Sequence, residues 1–354
     1  GGYVRGVTTV VSGNSVTIGQ TSGTTAIGGN VRGGYACVYG LLENTTATMT
    51  SNTVKVSGGS IAGSVAGGAL AISSGNCGTI QVSASGNTVS VAGGSIGGNA
   101  CGAYTSAVAP GEFAYTLQSD AVTGNSAAVS GGTIGGYVAG GYIETSGGTA
   151  NGNSVTIDHS AADSTTTSVG GAVYGGYVAG GTADVASGNS VTIGQTGGTT
   201  HIGGNAYGGY VAGSGTATSN SVTVSGGTIV SAAYGGYVAS GGTASGNSVT
   251  VSGGTIGGDV YGGYVAMNGT VSANSVTIDH AQADDGTTSI TGCVYGGFAG
   301  DTSGSSDSIA SSNHVTIAQT HGTTIISVYV AGGWAANEHS QQAIASANTV
   351  TLSG

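Results

Sequence analysis

Two short stretches carry the side chains best suited to chemistry. Asp158-His159 with Asp163, and Asp279-His280 with Asp284 and Asp285, each place carboxylates close to an imidazole. Such groups bind divalent metals or move protons near neutral pH. Both stretches fall in eleven-residue links of a repeat, four coils apart, and at about 4.8 Å per coil they stand roughly 19 Å from each other. They cannot share one ion, and each offers few ligands. The expectation is a pair of solvated loops and no metal centre, with Asp158, His159, Asp279 and His280 kept as weak candidates for a divalent cation. No cofactor is expected.

Other chemistry is poorly supplied. The 354 residues contain 3 Lys plus Arg against 14 Asp plus Glu, for a net charge of -11. Phosphate backbones are held by many cations, so nucleic acid is excluded as a partner and an anionic membrane surface is disfavoured. A sugar lyase needs a base near its substrate carboxylate, yet Arg5, Arg32 and Lys55 sit together near one end without an acidic cluster. A glycosidase needs two carboxylates about 5–9.5 Å apart. Asp259 occupies a position held in other coils by Asn30, Ser64, Asn99, Tyr137, Ala172, Asn205, Ala232, Cys293 or Tyr329, so no acidic ladder forms. The chain is read as a non-enzyme.

The element that positions these residues is a phrase seen as Ile256-Gly-Gly-Asp-Val-Tyr-Gly-Gly-Tyr264. Its first and last residues keep their spacing at Ile27/Tyr35, Ile96/Tyr104, Ile134/Tyr142, Val169/Tyr177, Ile202/Tyr210, Ile229/Tyr237, Ile290/Phe298 and Ile326/Trp334, while Ile61/Ala69 loses the ring. A second phrase, Asn-Ser/Thr-Val-Thr-Ile/Val in its commonest form, begins at Asn14, Asn52, Asn87, Asn125, Asn153, Asn189, Asn220, Asn247, Asn274, Asn313 and Asn348. The shortest step between asparagines, Asn220 to Asn247, is 27 residues. Longer coils differ by insertions at two places only, before the Ile and after the closing aromatic. Fixed strands with variable connections are the mark of stacked repeats.

With 75 glycines and no apolar residues at helical spacing, helices are not competitive. In Asn247-Ser-Val-Thr-Val251 the alternation turns Val249 and Val251 inward and the hydroxyls outward. Ile256, Val260 and Tyr264 share a parity, and the glycine pairs between them allow bends. The reading is an all-β chain, one continuous parallel β-helix over 1–354, of about eleven coils on a 27-residue unit, roughly 50 Å long and a segment of a longer repeat chain. Like residues then stack. Asn14, Asn153, Asn189, Asn220, Asn247 and Asn274 form a corner amide ladder, and Tyr177, Tyr210, Tyr237 and Tyr264 a column of rings broken at Ala69. Both are structural. Thr156, Thr192, Thr223, Thr250 and Thr277 line an outer face, which opens a lesser ice-binding alternative. Cys37, Cys77, Cys101 and Cys293 have no metal-ligand spacing; a disulfide among the first three and simple buried thiols are both open. No apolar run of about 18 residues spans a bilayer.

The recurring Gly-Asn-Ser-Val-Thr-Ile/Val, Ser-Gly-Gly-Thr-Ile-Gly-Gly and Val-Tyr-Gly-Gly-Tyr-Val-Ala resemble the Gly/Ser/Thr/Asn-rich passenger regions of autotransporter and haemagglutinin-like bacterial surface proteins. The resemblance implies a secreted β-helical stalk, extracellular or displayed at the cell surface, that meets a host-cell, glycan or protein ligand. The longest step after a closing aromatic, Tyr104 to Asn125, holds Pro110, Glu112, Phe113 and Tyr115 and is the candidate contact loop. Self-assembly into filaments is the alternative.

Overall fold

The computed structural model describes residues 1–6, 8–20, 24–38, 45–73, 79–108, 116–145, 147–159, 166–181, 183–280, 286–300, 307–337 and 342–353. Pro110, Glu112, Phe113, Tyr115, Asp163, Asp284, Asp285 and Cys77 lie outside them. Among the described residues there is no helix, and every paired strand runs parallel to its neighbour in three sheets of eleven, sixteen and eleven strands. The all-β parallel solenoid expected from the repeats is the fold.

One turn of the chain shows the logic. Ser248–Ile256 lies in the sixteen-stranded sheet, Val260–Val265 in the second and Gly269–Ser272 in the third, after which Ser275–Asp279 returns to the first. Like residues align: Ser221 pairs with Ser248, and Tyr237 with Tyr264. Where a link is longer, the first strand is split in two, as in Ser154–Asp158 and Thr166–Val169, and both pieces still pair with the undivided Ser126–Ile134.

The interior is two apolar lanes. One joins the first sheet to the start of the second, with Val249, Val251, Ile256 and Val260 all fully buried. The other joins the end of the second sheet to the third, with Val238, Ala244, Val265 and Val271. Each buried Val or Ile contributes about 1.5–3 kcal/mol relative to exposure. The paired glycines of the second sheet part the lanes. A Cβ on Gly235 would lie 2.4 Å from the Gly262 carbonyl oxygen and 2.8 Å from the Ser248 backbone, and one on Gly236 would meet the Asn247 side chain at 2.4–2.5 Å. Here backbone packs on backbone.

That approach overturns the shared parity of Ile256, Val260 and Tyr264. In the pairing of Val260–Val265 with the next strand, Gly262 is passed over. The alternation slips by one residue, so Val260 and Val265 face inward at 0 % exposure while Tyr261 and Tyr264 both stand on the outer face. A glycine pair read as a bend is a change of phase.

The residue before every ladder asparagine has a positive φ: Gly at 13, 86, 124, 152, 188 and 246, Ser at 51, 219 and 312, Ala at 273 and 347. This left-handed conformation costs a non-glycine about 1–2 kcal/mol, partly offset by the chain entropy glycine brings. Ala273→Gly is therefore expected to stabilise the protein by about 0.5–1 kcal/mol, read from the shift of its thermal or denaturant midpoint. An unchanged or lowered midpoint would contradict the account.

Candidate functional site

The Asp-His units differ from solvated loops. His159 and His280 are 1 % and 3 % exposed. His159 Nδ1 lies 2.8 Å from Thr167 Oγ1 and His280 Nδ1 lies 3.0 Å from Thr288 Oγ1, both hydroxyls being buried. Each imidazole thus joins the strand that enters its link to the strand that leaves it. The aspartates reach to the next coil instead. Asp158 accepts from the Thr196 amide at 2.8 Å and its hydroxyl at 2.6 Å, and Asp279 does the same with Thr320 at 2.8 and 2.7 Å. The two Thr320 bonds hold the Asp279 carboxyl below the usual carboxylate range. In each pair Asp and His serve different partners. Among the described residues no group of three or more His, Cys, Asp or Glu comes together.

The asparagine ladder runs from Asn14 to Asn348. In Asn220 the side-chain oxygen accepts from the Asn189 amide at 3.0 Å and from Asn189 Nδ2 at 2.9 Å. Its own Nδ2 donates to the Ala186 carbonyl at 2.8 Å and to Asn247 Oδ1 at 3.0 Å. Asn52, Asn87, Asn125, Asn153, Asn189, Asn247, Asn274 and Asn313 repeat the pattern. A shorter series at the turn before the second sheet runs in the opposite direction, the later coil donating: Ser64 N to Asn30 Oδ1, Asn99 N to Ser64 Oγ, and Cys293 N to Asp259 Oδ1.

The outer face of the second sheet carries two columns of rings. Tyr142, Tyr177, Tyr210, Tyr237, Tyr264 and Phe298 stack with centroids 4.2–5.1 Å apart and planes within 10°. Beside them Tyr174, Tyr207, Tyr234, Tyr261 and Tyr295 stack at 4.9–5.2 Å and meet the first column edge to face. This second column escaped the repeat count, because the same position holds Arg32, Ala66, Cys101 and Ala139 in earlier coils. Tyr137 fills the place above Ala139, stacking on Tyr142 at 4.6 Å. Burial raises the affinity of Tyr174 for its proton, to about 12, and that of Tyr207, Tyr210, Tyr234 and Tyr261 likewise, so these phenols stay neutral at ordinary pH.

Where both columns fail, a cleft of about 270 Å³ opens over Val65–Ser73. Ala66, Ala69 and Ala71 form its floor, Arg32 and Tyr35 one wall, Tyr104 and Tyr137 the other. Ala69 aligns with Tyr35 on one side and Tyr104 on the other. Cys101 lines it as well, its thiol pushed up to about 12 by burial. Cys101 and Cys293 are free thiols.

Two buried acids gave no sequence signal, being isolated in variable segments. Asp184, at 0 % exposure, accepts from the amides of Gly147 and Gly148 at 2.6 and 3.1 Å. Asp120, at 1 %, accepts from the Thr145 hydroxyl. Burial raises both carboxyl pKa values against the pull of these bonds. A carboxyl that binds its proton more tightly folded than unfolded adds stability below the unfolded pKa, and loses it as pH rises through the folded value. Asp120→Asn should therefore raise the melting temperature at pH 7, and the advantage should vanish as pH falls through the carboxylate range. An advantage independent of pH would refute the assignment.

Among the described residues no helix is long and apolar enough to cross a membrane. Comparison of the chain with protein-family models, with curated proteins and with solved structures finds no match.

Proposed function

We propose that the chain is a non-enzymatic structural β-solenoid, eleven coils of a 27-residue unit, serving as a stalk or fibre module of a secreted or surface-displayed bacterial protein. The observation that carries this reading is the asparagine ladder: the side-chain amides that each coil repeats are spent on the coil before and the coil after. The ring columns stack along the same axis. A stiff spacer needs such axial continuity, since each coil is held by its neighbours. The extracellular setting, the passenger-like origin and an adhesive role for the insertions follow from the repeat style.

Stretched between its ends in an atomic force microscope, the segment is expected to hold and then yield in successive steps. Smooth extension without such steps would sink the stalk reading. Concentration-dependent fibres in electron micrographs would favour the filament alternative instead. The threonines from Thr156 to Thr351, aligned on successive strands, are the basis of the ice-binding alternative, which thermal hysteresis would reveal.

A further inference from the structure

The cleft over Ala69 is a place in a ring column from which one ring is missing. Tyr35 and Tyr104 are aligned across it, two strand spacings or about 9.6 Å apart. A planar ring set between them would lie one spacing from each, as the rings of the unbroken column lie from one another. The flanking rings show the interruption. Tyr3 with Tyr35, and Tyr104 with Tyr142, are splayed by 23°, against 3–10° along the column from Tyr142 to Phe298. The floor is apolar, made by Ala66, Ala69 and Ala71.

The wall also has a charge. The Arg32 guanidinium lies 4.3 Å from the centre of the Tyr35 ring. Tyr3 covers one face of that ring, so the cation holds the face turned to the cleft. None of the residues lining the cleft is acidic. Glu144, the carboxylate that bears on the far wall, accepts a hydrogen bond from the Tyr104 phenol. In a chain of net charge -11, the cleft is a small cationic, aromatic-walled exception.

We propose that this cleft binds one small planar aryl carboxylate. The ring seats over the Ala69 methyl in line with Tyr35 and Tyr104. The carboxylate takes the Arg32 guanidinium, which leaves the Tyr35 face to the ring. A charge-assisted, two-pronged pair replaces a cation–π contact, and two ring faces gain a stacking partner. The proposal does not rest on the stalk reading.

The test is a nuclear magnetic resonance titration of the intact chain, labelled at tyrosine, with 4-hydroxybenzoate. The Tyr35 and Tyr104 ring signals are expected to move saturably, with cyclohexanecarboxylate and benzamide binding several-fold more weakly. Arg32→Gln removes the charged partner and should weaken binding roughly tenfold or more. Ala69→Tyr restores the missing ring in register and should abolish binding. Its folding is checked by circular dichroism, and Ala69→Leu, which fills the floor with an aliphatic group, serves if the tyrosine variant does not fold. No saturable shift, equal binding of the aromatic and saturated acids, or unaltered affinity in the position-69 variant would each overturn the proposal.

Discussion

Asn220→Ala is expected to destabilise the central coils by about 3–5 kcal/mol, because it leaves several buried polar groups without partners at about 1–3 kcal/mol each. The Asn189 amide loses its acceptor, Asn189 Nδ2 loses one of its two, and the Ala186 carbonyl loses its side-chain donor. All lie at a corner where Asn189 and Asn220 are 0 % exposed and water cannot substitute. In a stacked array the damage is local, so hydrogen exchange is the proper measurement. Protection should fall first around Ser190–Gly194 and Ser221–Ile229. Asn220→Asp sharpens the test: it keeps the shape but replaces a donor by an acceptor facing the Ala186 and Asn247 oxygens. That variant should be worse than alanine at neutral pH and recover in acid, where a protonated carboxyl can donate again. A loss below about 1 kcal/mol for Asn220→Ala would mean that strand pairing alone holds the corner.

Gly235→Ala should cost at least as much, by another route. The added methyl would lie 2.4 Å from the Gly262 oxygen and 2.8 Å from both polar atoms of Ser248, which are backbone and fixed by two sheets. Relief requires the sheets to part, which opens both apolar lanes; overpacking of this kind costs typically 1–3 kcal/mol and more where backbone must move. We expect about 3 kcal/mol or more, seen as a lowered denaturation midpoint. The control is Gly28→Ala: nothing lies within 4 Å of that methyl, and the change should stay within about 0.5 kcal/mol. Equal effects at the two positions would show that chain entropy, and not close approach, explains the conserved spacing of the glycine pair along the repeats.

These positions also show what the sequence discloses. The step from Asn220 to Asn247, and the pairing of Val249 with Val251 on one face, were enough to require short parallel strands in register, because period-two burial and repeat spacing are local properties. The phase change at Gly262 was not legible. It depends on Asn274 and the next strand pressing against the glycine pair, which no single coil reveals. The second ring column was hidden for a related reason: Arg32, Ala66, Cys101 and Ala139 occupy its positions early in the chain, and only Tyr174 onward shows it. For His159 and His280 the composition of the links suggested solvent, whereas Thr167 and Thr288 draw the imidazoles inward. The cleft itself was visible only as a lapse at Ala69. Its walls come from coils before and after, so its chemistry belongs to no one repeat.

Every bond between one asparagine of the ladder and another points the same way, with the amide and Nδ2 of one coil donating to the side-chain oxygen of the next. Aligned amides polarise one another, and chains of hydrogen bonds strengthen cooperatively. The row of side chains therefore adds its dipoles head to tail along the stack, as peptide units do along a helix. The solenoid carries an axial electrical polarity: its two directions differ in the field they present, although the strands themselves look alike from either side.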